Sequence, residues 1–172
     1  MTAGRVSVSS NKSWDTPPTL WESVERLFGG PAGLDPCGSL SSVVVSERRY
    51  LLPDEDGLVL PWDAATIYCN PPYGRDRERG TTISDWLAKC SEASAAGAEV
   101  GALIPVATNT GHWKRFVFGQ ASVCFLAEPR VKFWSGGAPI PKGAPMACAV
   151  VYWGNRRGDF AAEFGRHGYV TY

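Results

Sequence analysis

Two consecutive prolines, Pro71 and Pro72, follow the run Thr66-Ile67-Tyr68-Cys69-Asn70 and fix where one strand of this chain must stop. Each proline locks φ and lacks an N–H, so neither can continue a ladder. The residue before each is also held out of the helical region. The run ahead of them is short and apolar, which predicts a buried strand over 66–69. Behind them lies a charged, glycine-containing loop, 74–82, read as mobile. Thr82-x-x-Asp85 then has the spacing of an N-terminal cap. Ile83, Trp86, Leu87, Cys90 and Ala93 follow on one helical face, and Gly97 ends that helix. Strand, rigid corner and helix in this order point to an α/β architecture.

The rest of the chain extends the pattern. Thr19-x-x-Glu22 reads as a capping box for a helix whose inner face is Leu20, Trp21, Val24, Leu27 and Phe28, stopped by Gly29-Gly30. Gly33–Pro36 reads as a first strand and its exit. Val43–Val45 is β-branched and reads as a strand or as a passage into one. Residues 54–57 form a turn. Val100–Ile104, Val123–Leu126 and Met146–Trp153 are apolar strands, and His112–Phe118 is a short helix with Trp113, Phe116 and Val117 inward. Residues 129–145 are a long loop or hairpin. Residues 1–13 are polar and aperiodic and read as a flexible tail, leaving 14–172 as one domain.

Composition narrows the function. Seventeen basic and seventeen acidic residues cancel, so any nucleic-acid contact must come from a local patch. The five cysteines show no Cys-x-x-Cys spacing and read as reduced and buried, which speaks against a zinc site or a disulfide framework. No run has the length of a membrane span, and reduced cysteines imply a cytoplasmic setting.

The chemistry concentrates at Asn70-Pro71-Pro72-Tyr73. Ligands of open α/β sheets bind outside the carboxyl ends of strands, and this corner lies at such an end. An exocyclic amino nitrogen is a poor nucleophile because its lone pair is delocalised into the ring. Two acceptors, the Asn70 side-chain oxygen and the Pro71 carbonyl, would bind its hydrogens and localise that lone pair. Fixed dipoles aimed at developing charge are a large catalytic term. Tyr73 supplies an aromatic face for a base, worth on the order of 1–3 kcal/mol. The expectation is methyl transfer to an amino nitrogen with S-adenosylmethionine (SAM) as donor.

The ordered set of motifs makes that expectation specific. Trp14-Asp15-Thr16-Pro17 precedes the first helix, and Leu34-Asp35-Pro36-Cys37-Gly38-Ser39 follows it. Asp56-Gly57-Leu58…Trp62, Asn70-Pro71-Pro72-Tyr73, Trp86…Lys89, Leu103-Ile104-Pro105 and Arg130-Val131-Lys132-Phe133 come next. Over about residues 14–153 this order resembles the phage-encoded DNA N6-adenine methyltransferases. The resemblance implies a trimmed, Rossmann-like SAM-dependent methyltransferase fold, with a mainly parallel sheet and helices on both faces. It implies double-stranded DNA as partner, a monomer or homodimer, and residence in the bacterial host cell. It also implies that Trp14, Asp15, Thr16, Pro17, Asp35, Cys37, Gly38, Asp56 and Asn70 line the cofactor pocket. Glu47, Asp54, Glu55 and Asp56 compete for the ribose hydroxyls; Asp56 best matches the family motif, with the adenine amino group as its alternative partner. The glycine loop departs from the fuller methyltransferase pattern, with Gly38 alone beside Asp35.

Arg75, Arg77, Arg79, Arg130, Lys132 and Lys142 are the phosphate candidates, and Phe133 or Trp134 is a candidate second wall for a flipped base. The chain has no stretch long enough for a separate target-recognition domain, so low sequence specificity is expected. His112 and His167 have no assigned role. Rival readings are an amino-methyltransferase on RNA guanine or protein glutamine, and an inactive methyltransferase-like DNA-binding protein.

Overall fold

The computed structural model describes residues 14–127 and 130–172; the expected N-terminal tail lies outside them. The elements run α1 (Pro18–Phe28), β1 (Ala32–Gly38), β2 (Ser46–Leu51), β3 (Thr66–Cys69), α2 (Ile83–Ala95), β4 (Glu99–Pro105), α3 (Gly111–Phe116), β5 (Ser122–Leu126), β6 (Trp134–Ser135), β7 (Ala138–Pro139), β8 (Cys148–Trp153), α4 (Arg157–Phe164) and β9 (Gly168–Thr171).

Seven strands form one sheet in the order β2-β1-β3-β4-β8-β5-β9. The pairs β2–β1, β1–β3 and β3–β4 are parallel, while β8 and β9 run against their neighbours. Five of the seven strands therefore share one direction, as the mainly parallel reading expects. Strands β6 and β7 form a separate hairpin.

Two apolar layers cover the sheet. On one face α2 and α3 bring Trp86, Leu87, Cys90 and Trp113 against Ile67, Cys69, Val100, Ala102 and Ile104. On the other, α1 and α4 bring Leu20, Trp21, Val24, Leu27, Phe160 and Phe164 against Tyr68, Leu103 and Val150. Alternate residues of β3 and β4 enter opposite layers because strand side chains alternate. Together the layers give an α/β sandwich, as the Rossmann-like expectation has it.

Two local expectations are corrected. Helix α1 starts at Pro18, with Pro17 as its N-cap and no side-chain cap bond. Proline is preorganised for the first helical position, so the Pro17-Pro18 pair starts the helix and Thr19 falls inside its first turn. Val43–Val45 is not a strand. The Val44 carbonyl is taken by the Arg49 guanidinium. The ladder begins only where the Ala32 N–H reaches the Val45 carbonyl at 3.0 Å. The link from β1 to β2 is thus a bare loop with no helix, which makes this half of the sheet the trimmed one.

The Thr82 cap holds: the Asp85 carboxylate accepts the Thr82 N–H at 2.7 Å. Gly97, at φ +105°, lies just beyond the helix end.

Candidate active site

From β1 the chain moves outward to β2, then returns past β1 to β3. The carboxyl ends of β1 and β3 therefore flank the point where the strand order reverses, the usual ligand crevice of such sheets. Only Leu34 and Ile67 pair between these strands. Beyond them β1 becomes irregular between Asp35 and Gly38. Asp35, Cys37 and Gly38 stand on one lip and Asn70 on the other.

The Asn70 amide is held in one orientation. Its Nδ2 donates to the Trp14 carbonyl at 2.6 Å, and its Oδ1 accepts from the Tyr73 hydroxyl at 3.2 Å. A reversed amide would set oxygen against oxygen at Trp14, so the network assigns the group. Pro71 is buried and Pro72 is exposed, so the corner runs from the core to the surface.

Tyr73 is packed, not free. Its hydroxyl also reaches the Leu103 carbonyl at 3.0 Å. Its ring meets Trp14 and Phe133 edge-on, at 6.0 and 5.8 Å between centroids. Burial holds its hydroxyl pKa well above the ordinary value. Phe133 is buried and stacks on Trp14 at 5.1 Å. It is thus a prop beneath Trp14 and not an open wall for a base. Trp134 is only partly buried.

The entry segment joins three parts of the site. Trp14 touches Asn70 and Phe133, and the Asp15 backbone pairs with Trp134 at 2.8 and 2.9 Å. The Asp15 carboxylate accepts the hydroxyls of Ser39 at 2.5 Å and Ser41 at 2.6 Å, clasping the loop after β1. Thr16 bonds the Tyr68 hydroxyl at 2.8 Å. Pro17 is buried at the start of α1.

Asp35 is 3% exposed. Its carboxylate accepts the Cys37 N–H at 3.3 Å and faces Arg49 Nε at 3.5 Å. Burial outweighs the Arg49 charge and lifts its pKa to about 6. A buried carboxylate so thinly solvated suits a cationic ammonium. Gly38 lies against the Asp35 and Arg49 side chains, and a Cβ there would strike both. The Cys37 and Cys69 sulfurs approach to 3.6 Å, and burial pushes both thiols up. The described cysteines are all free, as expected.

Asp56 also lies near this crevice, because Gly57 packs directly on the Pro36 carbonyl. Its Oδ1 accepts the Leu58 N–H at 2.9 Å and its Oδ2 pairs with Arg79 at 2.9 Å.

Loop 74–82 is braced instead of open. Asp76 accepts the N–H groups of Glu78 and Arg79 at 3.0 Å each and the Arg79 Nε at 2.8 Å. Arg79 is thereby committed to two carboxylates, which corrects its reading as a phosphate ligand. Arg75 and Arg77 remain exposed. In the hairpin segment Val131 and Phe133 are buried while Lys132, between them, is exposed, as is Lys142. Arg130 is exposed at its backbone end of the hairpin and sends Nη1 toward the carbonyls of Ala144 and Pro145, each at 3.4 Å.

Sequence reasoning included Ser39 in the motif after β1 but missed Ser41 and the clasp of both hydroxyls by Asp15, for which the Ser-x-Ser spacing after Gly38 was the available signal. It also missed the Leu103 carbonyl, a main-chain group with no side-chain signature.

Residues 4–160 match the family described as DNA N-6-adenine-methyltransferase (Dam). The chain belongs to that family. Membership implies methyl transfer to adenine N6, with SAM as donor and DNA as substrate. No curated protein matches the chain. Among the described residues no helix is long and apolar enough to cross a membrane, and no cluster of metal-ligating side chains occurs. The SAM family's needs fit the residues at the crevice: a buried carboxylate for an ammonium, an aromatic at Trp14 for a sulfonium, and an oriented amide for an amine.

Proposed function

We propose that this chain methylates adenine N6 in double-stranded DNA with low sequence discrimination, using the crevice between β1 and β3. Bound SAM supplies an electrophilic methyl group on sulfur. Asp35 holds the ammonium of the donor, and Trp14, Thr16, Pro17, Cys37 and Gly38 line its pocket. Asp15 works at one remove, by fixing the loop that carries Ser39 and Ser41. Asp56 closes the far side, locked to Arg79.

The target adenine leaves the stack, at a cost of a few kcal/mol. Its amino hydrogens go to Asn70 Oδ1 and the Pro71 carbonyl. The Asn70 amide is oriented before the base arrives, so its dipole already faces the charge that develops as the lone pair localises. Tyr73 lies beside the ring, and Pro72 keeps the corner rigid. No strong base is required, because a methylated, cationic amine sheds its proton readily. Arg75, Arg77, Arg130, Lys132 and Lys142 meet the phosphates.

The observation that carries this reading is the orientation of the Asn70 amide by the Trp14 carbonyl. It turns Oδ1 away from the Trp14 carbonyl and toward the Tyr73 hydroxyl. Asn70→Ala should reduce methyl transfer by at least about a hundredfold, the loss typical of one preorganised catalytic contact. SAM affinity by calorimetry should stay within a few-fold. Normal formation of N6-methyladenine by the variant, measured by nucleoside mass spectrometry, would falsify the role. The same measurement separates adenine from guanine products.

A further inference from the structure

The Tyr73 hydroxyl has one proton and two acceptors, Asn70 Oδ1 at 3.2 Å and the Leu103 carbonyl at 3.0 Å. The second acceptor is there for a reason that lies in the backbone. Strands β3 and β4 pair in parallel with Thr66–Cys69 opposite Glu99–Ala102. The Glu99 N–H donates to the Ala65 carbonyl at 2.8 Å. Parallel ladders repeat evenly, every second residue bonding toward the same neighbour. The phase set by Glu99 places the Leu103 carbonyl opposite the N–H of residue 71. Residue 71 is proline and has none. Leu103 is wholly buried, so its carbonyl needs another donor. The Tyr73 hydroxyl takes that place.

We propose that the Tyr73 hydroxyl is a positioning group that passes its hydrogen bond from Asn70 Oδ1 to the Leu103 carbonyl when a substrate amine arrives. In the free protein the shared proton keeps the Asn70 oxygen occupied and the amide in line. An incoming N–H takes over at Asn70, and the hydroxyl retires to an acceptor that Pro71 has left open. No hydrogen bond is lost in the exchange, and the proton never leaves the tyrosine oxygen. Burial, which holds this hydroxyl protonated, supports the role. Asn70, Pro71 and Tyr73 thus form one unit: the acceptor, the residue that vacates a ladder position, and the donor that fills it. The inference rests on the reading of Asn70 as the amine acceptor.

The test uses single-turnover methylation of adenine-containing duplex at saturating SAM and DNA; a parallel duplex with 2-aminopurine in place of the target adenine, which has no N6 amine to methylate, reports base extrusion alone. Tyr73→Phe keeps the ring and removes the proton. The expected result is a rate about tenfold lower, the equivalent of one hydrogen bond, with the extrusion signal and DNA affinity within twofold of the parent. A rate within twofold of the parent overturns the inference, whatever happens to the melting temperature. Pro71→Ala restores an N–H opposite Leu103 and should strand the hydroxyl on Asn70. Adding Tyr73→Phe to that variant should then raise its rate, and a further drop counts against the exchange. Should Tyr73→Phe not fold, 3-fluorotyrosine at position 73 keeps ring and hydroxyl and makes the latter more acidic. Its fluorine, beside the hydroxyl, should shift in the 19F NMR spectrum when target DNA is added to the SAM complex, and an unshifted resonance overturns the inference. Asn70→Ala is run alongside. If it keeps its rate, the amine-acceptor reading fails; if it is inactive while Tyr73→Phe matches the parent, only the exchange fails.

Discussion

Asp35 carries a carboxylate into a place where little water reaches it. Its pKa of about 6, against 3.8 for an ordinary aspartate, comes first from burial, partly offset by Arg49. The sign of the consequence follows from linkage. The folded chain binds this proton more tightly than the unfolded chain. The contribution of Asp35 to stability is therefore full below pH 3.8 and lost as pH rises through about 6, a difference of about 3 kcal/mol. Recognition of an ammonium has the opposite sign, because it needs the ionised carboxylate. SAM should thus bind about tenfold tighter at pH 7 than at pH 5, a single protonation step, while the free protein loses stability over the same window. Asp35→Asn should flatten both dependences. Calorimetry at the two pH values checks this, and equal affinities would remove Asp35 from the ammonium site. Asn70, Tyr73 and Asp35 stood out in the sequence as candidates, because each stands in a motif whose residue types suggest a chemistry. The partners that set their behaviour were not. The Trp14 carbonyl, the Leu103 carbonyl and Arg49 come from segments far along the chain, and only the fold brings them together.

At the scale of elements, the loop after Asn70-Pro71-Pro72-Tyr73 is tied to the turn after β2 through Arg79, which spans Asp56 and Asp76. Charge alone suggested a mobile loop with three arginines for DNA. Spacing could not reveal that one of them would turn inward, because the partner Asp56 lies across the crevice. An exposed ion pair contributes little, about 0–1 kcal/mol, but here one guanidinium joins two segments that would otherwise fray separately. Its loss should act on local opening more than on global stability. Arg79→Met should therefore speed trypsin cleavage after Arg75 and Arg77 by about tenfold, one hydrogen bond's worth of local stability, with the melting temperature nearly unchanged. Peptide mapping by mass spectrometry reads the sites, and unchanged cleavage would mean the loop is held by Asp76 and its turn alone. The strands of the core were legible for the reason this loop was not: Thr66–Cys69, Glu99–Pro105 and Cys148–Trp153 are apolar runs whose burial is stated by their own residues. Val43–Val45 was misleading because β-branched side chains state a preference and not a partner. Its backbone is claimed by Arg49, and the ladder starts one step later.

The whole molecule has no net charge, so its grip on DNA must be local, and the segment around β6 and β7 carries exposed Arg130, Lys132 and Lys142. Lys132 stands exposed between buried Val131 and Phe133. The same segment is joined to the entry segment before α1, since Trp134 pairs with Asp15 and Phe133 stacks on Trp14. Phosphate contacts position a protein without reading bases, and each one made adds about 0.9 to the steepness of log affinity against log salt. Neutralising Lys132 and Lys142 together should lower that slope by about 1.8 on this count. Affinity should weaken by a similar factor for duplexes of unrelated sequence. Because the loss is uniform, single-molecule maps of N6-methyladenine should show the same spread of contexts for the variant as for the parent, only more sparsely filled. A variant that keeps the parental salt slope would place the DNA elsewhere on the molecule. One that loses methylation in some contexts and not others would mean that these lysines read sequence, and the proposed low discrimination would have to be abandoned with them.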